Sequence, residues 1–354
     1  MTEYAPSSSA TPHRYVIIGN GVAGNQAAEG LRDRDPEGRI TIITNSRMLF
    51  YNRYLLPRLF RGPLDWRALL PHPPEHYQQR RIQVRRDSCV VSVDAVHRLV
   101  LLAHNESIAY DTLLVATGGR CYLPEELAES RHLLHYFGSY EQAVATRKAV
   151  PDNGTVLLLG GDMIGLDLAR TLLDLHYRVL LVTHENTFWP HLLSAEQRVE
   201  FLAILRGMGM EVMDGDALGG VVAIEQGASG LPARRVVFRD GSDVYGDVAI
   251  SFYGLQPLVE FMVGSGTDIE RGLLVSTNLR TSDPHIFAAG DVCQIWSEQD
   301  HAYRFYYGYK NVRAMGAVAA LNMTGGNEHF STTQDETLSQ DSQGRIDSSF
   351  WAYD

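Results

Sequence analysis

Cysteine is scarce in this 354-residue sequence: Cys89, Cys121 and Cys293 stand far apart, and no two share a C-x-x-C spacing. That excludes a disulfide framework and a cysteine-built metal centre, so no metal site is expected. Three isolated thiols fit a reducing compartment. Long apolar runs are also missing. No stretch approaches the roughly 18 residues that a membrane-spanning helix needs. The start, Met1-Thr2-Glu3-Tyr4-Ala5-Pro6, has no basic cluster followed by an apolar core, so it does not read as a secretory leader. Together these absences point to the cytoplasm. Basic charge is in deficit as well, with a formal net charge of -11. Contact with a phosphate backbone needs clustered Lys and Arg, so nucleic-acid binding is excluded. The acidic balance suits docking to a basic partner instead.

What is present is a repeated grammar of short apolar runs and glycine turns. Tyr15-Val16-Ile17-Ile18 is stopped at once by Gly19, as in a buried parallel strand. Helical spacing follows from about Gly24 to Arg34, with Ala27, Ala28 and Leu31 on one face, and Arg39–Ile43 is a second β-branched strand. Strand, turn, helix and strand make one βαβ unit. The pattern returns at Thr155–Leu159, Gly160-Gly161, a helix carrying Ile164, Leu168, Leu172 and Leu175, and the strand Arg178–Val182. Residues 82–118 alternate apolar and polar, which predicts a β-meander closed by the strand 113–116. Residues 234–253 predict a hairpin turning at Asp240-Gly241. Beyond about residue 327 the pattern fades into Ser, Thr, Gln and Asp.

The first turn, Gly19-Asn20-Gly21-Val22-Ala23-Gly24, is a complete G-x-G-x-x-G. Gly19 allows the tight bend, Gly21 lets the backbone approach a pyrophosphate, and Gly24 lets helix and strand pack closely. Val22 and Ala23 open the helix whose N–H groups and dipole face that anion. Set between a strand and a helix, the motif is specific; the alternative is a glycine turn with no ligand. The acid expected some 20 residues on, for a ribose, is absent. Asn45 and Ser46 stand there as neutral hydrogen-bonding groups. The second turn, Gly160-Gly161-Asp162-Met163-Ile164-Gly165, carries Asp162 in place of the middle glycine. A side chain, and an anionic one, then occupies the place where backbone meets pyrophosphate. Glu185 is the nearest carboxylate after the following strand.

These motifs give the sequence a resemblance to the FAD-dependent pyridine-nucleotide oxidoreductases. Within them it is similar to the rubredoxin and ferredoxin reductases and to the flavin module of nitrite reductases. Four pieces carry it, in the family's order: Gly19-Asn20-Gly21, Ala116-Thr117-Gly118-Gly119, the turn at 160–165, and Thr281-Ser282-Asp283-Pro284-His285-Ile286-Phe287-Ala288-Ala289-Gly290-Asp291. The resemblance implies an α/β fold with two Rossmann-like FAD- and NAD(P)-binding domains, built from parallel sheets with β-meander crossovers. The expected boundaries are 13–120 with 248–328 for FAD, 121–247 for NAD(P), and 329–354 as an acidic tail.

The resemblance also implies roles. Asp291, after Gly290, would bind the FAD ribityl chain just before a helix that faces the flavin ring. Ala116, Thr117 and Gly118 would mark the crossover between domains, and Val90 would lie beside the adenine. Gly254 would match a glycine-x-x-proline turn near the nicotinamide, ending at Pro257. Tyr51-Asn52-Arg53-Tyr54-Leu55-Leu56-Pro57-Arg58 resembles the family's flavin-side segment, placing Arg53 by the cofactor. An ion pair between Arg58 and Asp167 is expected at the flavin's reactive edge. There a buried cation would stabilise a reduced, anionic flavin. The alternative is a solvated surface Arg58.

Three departures accompany the resemblance. No cysteine lies between residues 40 and 60, Asp162 replaces a glycine, and the family's C-terminal interface domain is expected to be lacking. His132, His135 and His184 are candidate proton donors, and the aromatic run Tyr303 to Tyr309 either flanks the flavin or packs. The expectation is an FAD-dependent enzyme passing electrons from NAD(P)H to a redox protein or other acceptor. The alternative is a flavin-carrying electron-transfer or scaffold subunit of a larger complex, with a degraded nicotinamide site.

Overall fold

The computed structural model describes residues 11–62, 66–184, 193–228 and 232–332. The chain divides into two compact units. The described residues of the first are 11–50, 72–118 and 257–332; those of the second lie within 51–71 and 119–256.

In the first unit, Arg14–Ile18 pairs in parallel with Arg39–Ile43 on one side and Thr112–Val115 on the other. Ile82–Arg85 and Ile286–Ala288 complete a five-stranded parallel sheet, one at each edge. Ile17, Leu113, Leu114 and Ile286 are fully buried in it, as strands covered on both faces require. The helix Val22–Arg34 follows the first strand, and its Ala27, Ala28 and Leu31 are buried as the spacing predicts. A three-stranded antiparallel meander is present, but shorter than expected: Val90–Asp94, Leu99–Leu102 and Ser107–Ala109. Ile82–Arg85 is not part of it. As an edge strand with one neighbour, it alternates like a meander strand while belonging to the parallel sheet.

The second unit repeats the plan. Thr155–Leu159 lies between the parallel strands Arg178–Thr183 and Val248–Ser251, with Glu211–Asp214 outside. The helix Met163–Asp174 buries Leu166, Leu168, Ala169 and Leu172. The expected hairpin exists as Arg234–Phe238 and Asp243–Gly246, joined by a third strand, Val221–Gln226. Two long segments fall differently from the sequence expectation, as do residues 119–120, which group with the second unit, and 329–332, which group with the first. Residues 248–256 group with the second unit, because Val248–Ser251 hydrogen-bonds to Thr155–Leu159. Residues 51–71 do so because the 3-10 turns Arg53–Arg61 pack on the helices Tyr140–Ala149 and Met163–Asp174.

Each unit closes its central strand with the same aspartate device. Asp111 accepts the Arg14 backbone N–H at 2.8 Å, while its own N–H donates to the Arg14 carbonyl. Asp247 does the same for Thr155, at 2.7 Å, with the reciprocal bond in place. Asp111 also takes the Arg14 guanidinium, which holds its carboxyl down to about 2.

Residues just past 327 are tied to the first unit. Phe330 is buried, its N–H donates to the Thr277 carbonyl, and Asn322 donates to Glu328. The acidic segment 333–354 lies outside the described residues.

Candidate functional sites

The first glycine turn sits at the carboxyl end of its sheet. Gly19 has φ +118°, and a Cβ there would overlap the Ala116 carbonyl. Only glycine meets both demands. A Cβ on Gly24 would overlap the Gly19 carbonyl, so this position sets how closely helix and turn approach. Gly21 is different. Its backbone is ordinary (φ -96°, ψ -166°), and a Cβ would meet nothing within 4 Å. It is the N-cap of Val22–Arg34 but has no side chain to cap with, and the helix's first turn carries no acid. The first intrahelical bond is Asn25 N–H to the Gly21 carbonyl. The N–H groups of Val22, Ala23 and Gly24 therefore have no partner among the described residues, as at any uncapped helix start. Open space, free donors and a positive helix end fit a pyrophosphate. FAD's diphosphate meets that test here.

Asn45, Ala116 and Gly290 follow neighbouring parallel strands and so stand at the same sheet end. Ala116 follows Thr112–Val115 and donates to the Ile18 carbonyl. Thr117 Oγ1 donates to the Leu258 carbonyl, and Gly118 takes φ +64°. Gly290 follows Ile286–Ala288, with the Ala23 and Val312 side chains beside its α-carbon. Asp291 comes next, half-buried. One expectation fails: no helix follows Asp291 directly. Cys293–Ser297 is a strand, paired with Leu273–Val275, and the helix begins at Tyr309. Asn45 is exposed and Ser46 half-buried at the end of Arg39–Ile43, where Ser46 Oγ accepts the Met48 N–H. Val90 is half-buried at the start of the meander.

Sequence reasoning missed two residues that brace this turn. Asn25, 5% exposed, donates to Asn20 Oδ1 at 2.7 Å and to the Gly21 carbonyl at 3.0 Å. Tyr77, also buried, donates its hydroxyl to Asn25 Oδ1 at 2.7 Å. An Asn inside a helix, where it is a poor former, was the available signal.

The second turn keeps the same frame. Gly160 has φ +82°, and a Cβ there would overlap the Phe252 carbonyl. A Cβ on Gly165 would come within 2.6 Å of the Phe252 ring. Asp162 occupies Gly21's place as N-cap, with φ -62° and ψ 171°. Its carboxylate accepts the Gly165 N–H at 2.9 Å, and the N–H groups of Ile164 and Gly254 favour its charged form. Burial raises its carboxyl to about 6 in spite of those N–H groups. Gly254 takes φ +90° and accepts the Tyr122 N–H. Glu185 lies outside the described residues.

The expected ion pair does not form. Asp167 has Arg58, Arg61 and Arg170 within electrostatic reach, yet makes no ion pair with Arg58, which is exposed. Burial raises the Asp167 carboxyl and outweighs those cations. Arg61 pairs with Asp174 instead, at 2.7 Å. Arg53 opens the same 3-10 turns and is exposed.

Of the histidines, His132 is exposed, and burial lowers His135. His184 stacks on Tyr253 at 5.0 Å, and burial lowers it to about 4, so it is neutral at pH 7 and a poor proton donor. Within the aromatic run Phe305 stacks on Tyr307, Tyr303 meets Trp296 edge-on, Tyr306 meets Phe330, and Tyr309 is exposed. The three cysteines are free thiols: Cys89 exposed, Cys121 half-buried and Cys293 buried. Burial raises both Cys121 and Cys293. No helix among the described residues is long and apolar enough to cross a membrane.

Comparison with known proteins agrees with this geometry. The model of the family described as pyridine nucleotide-disulphide oxidoreductase matches residues 13–320. The nitric oxide reductase FlRd-NAD(+) reductase of Aeromonas hydrophila is 31% identical over 302 residues, covering 84% of this chain and 75% of that protein. The rubredoxin-NAD(+) reductase of Alcanivorax borkumensis is 30% identical over 294 residues, covering 80% and 73%. Among solved structures, the ferredoxin reductase for the CYP199A2 system of Rhodopseudomonas palustris superposes with a TM-score of 0.79 at 27% identity. It covers 90% of this chain and 78% of that one. Two glycine turns at matching sheet ends, in the expected order along the chain, and a family match over nearly all of the described residues lead to one conclusion: this chain belongs to the pyridine nucleotide-disulphide oxidoreductases.

Proposed function

We propose that the chain is an FAD-dependent oxidoreductase that takes electrons from NADH or NADPH and passes them to a small redox protein. One observation carries the reading. The helix Val22–Arg34 begins uncapped beneath Gly21, with open space at that position and Ala116 and Gly290 at the same sheet end. In this reading the N–H groups of Val22, Ala23 and Gly24 hold the FAD pyrophosphate. Asn45 and Ser46 bind the adenosine ribose, Val90 flanks the adenine, and Asp291 accepts hydrogen bonds from the ribityl hydroxyls. Ala116, Thr117 and Gly118 let the backbone come close. Bound FAD supplies the redox chemistry, accepting an electron pair and releasing it to an acceptor. The second unit is the nicotinamide-binding fold. Relatives named for rubredoxin and ferredoxin support a redox-protein acceptor. Three free thiols support a cytoplasmic location.

The test is anaerobic titration of the purified, flavin-loaded protein with NADH and with NADPH, followed by flavin absorbance. Bleaching by at least one of them is expected. A polypeptide that stays colourless after incubation with excess FAD would end the reading. A second reading, a flavin-carrying subunit whose second fold serves as scaffold, is favoured by the Asp162 cap. There, neither nicotinamide bleaches the flavin while dithionite does.

A further inference from the structure

The second turn has the frame of a dinucleotide seat but already holds an anion. Gly160 and Gly165 do what Gly19 and Gly24 do: one bends the chain against a neighbouring carbonyl, the other permits close packing. At the middle position a carboxylate replaces open space. It is only 8% exposed and accepts the Gly165 N–H at the helix start, where the nearby Ile164 N–H also favours its charge. The Gly254 N–H, on a separate segment beyond the strand Val248–Ser251, also favours its charge. In the first turn the corresponding helix-start donors are free. An incoming diphosphate would meet a fixed negative charge, and the Gly165 N–H that would help compensate its own charge is engaged.

We infer that Asp162 is a resident anion that holds the nicotinamide dinucleotide seat of the second fold shut, and so is the residue that limits the chain's affinity for NADH and NADPH. This rests on the reading of the second unit as the nicotinamide-binding fold. A bound dinucleotide must displace the Asp162 carboxylate from its N–H donors before its own phosphates can use them. The middle position does not need glycine for its backbone, because φ -62° is open to every residue. Removing the side chain therefore frees the donors without breaking the turn.

The experiment is isothermal titration of the full-length, flavin-loaded chain with NAD+ and NADP+, and of the air-free protein with NADH and NADPH. Wild type, Asp162→Gly and Asp162→Asn are compared. Asp162→Gly is expected to bind at least one dinucleotide about tenfold more tightly than wild type, a change of about 1.4 kcal/mol. Asp162→Asn still caps the helix but is neutral, and it is expected to fall between the two. Because the Asn variant preserves the cap, it keeps the test decisive even if the Gly variant unfolds. Wild-type affinity equal to or tighter than both variants would overturn the inference alone. No binding by any of the three proteins would overturn the nicotinamide reading, and the inference with it.

Discussion

Gly21 and Asp162 occupy the same place in two turns that otherwise match, and the contrast separates what the fold requires from what a ligand requires. Gly19 and Gly160 both sit at positive φ, against a carbonyl that a side chain would strike. Gly24 and Gly165 both sit where a Cβ would collide. Those four positions are glycine for reasons internal to the chain. The middle position is not, since Gly21 and Asp162 both adopt backbone angles open to any L-residue. At Gly21 the missing side chain leaves room and free donors. At Asp162 the side chain fills the room and takes the donors. A Rossmann-like turn can thus be kept intact as architecture while its anion seat is altered by one residue.

The widest effects should come from the shared positions. Gly19→Ala and Gly160→Ala each force a Cβ into a carbonyl at positive φ, which should cost about 3 kcal/mol or more. Chemical denaturation of each variant measures this, and tolerance of either would show that the two turns are not equivalent. Next comes the reciprocal exchange. Gly21→Asp has space for its side chain and should fold, but its carboxylate would cap Val22–Arg34 as Asp162 caps the second helix. FAD affinity should fall about a hundredfold, or about 2.7 kcal/mol, read by flavin fluorescence on titration. Retention of wild-type FAD affinity would break the comparison.

A smaller effect concerns pH. The ordinary Asp value is 3.8 and burial raises folded Asp162 to about 6, so the folded state binds the extra proton between those values. Stability from this group is complete below the lower value and is lost as pH rises through the upper one, by about 3 kcal/mol. Cys121 is the titratable neighbour that senses Asp162 and, with its thiol raised, does not titrate in that window. The difference in unfolding free energy between wild type and Asp162→Asn should carry this slope; a flat difference would contradict the burial argument. The smallest effect tests the paired strand clamps. Asp111→Asn and Asp247→Asn each weaken one backbone hydrogen bond, at about 1 kcal/mol by denaturant melts, and Asp111→Asn also gives up the half-exposed Arg14 ion pair and should cost slightly more. For Asp111, stability is present above the ordinary 3.8 and is lost as pH falls toward about 2.

Much of this was readable from the residues. Both βαβ openings, both glycine turns and the displaced glycine at 162 follow from apolar runs that stop at glycine. What escaped has physical causes. Ile82–Arg85 alternates because it has one strand neighbour, so an edge strand of a parallel sheet imitates a meander. Cys293–Ser297 pairs with Leu273–Val275, about twenty residues upstream, and no local pattern announces that partner. The Arg58–Asp167 pair was inferred from likeness, and the chain spends its charges otherwise: Arg61 reaches Asp174, and Arg58 faces solvent. Asp111 and Asp247 lie one residue before apolar runs, where reading by periodicity begins too late to notice them. Asn25 and Tyr77 needed the folded chain to meet.

The unequal exposure of the three thiols has a practical consequence. Cys293 is sealed in the core and Cys121 is half-covered, both with raised thiol pKa, while Cys89 is open to solvent. A maleimide dye would therefore attach at Cys89 first without mutagenesis, one residue before Val90. Such a conjugate would provide a spectroscopic probe beside the proposed adenine position.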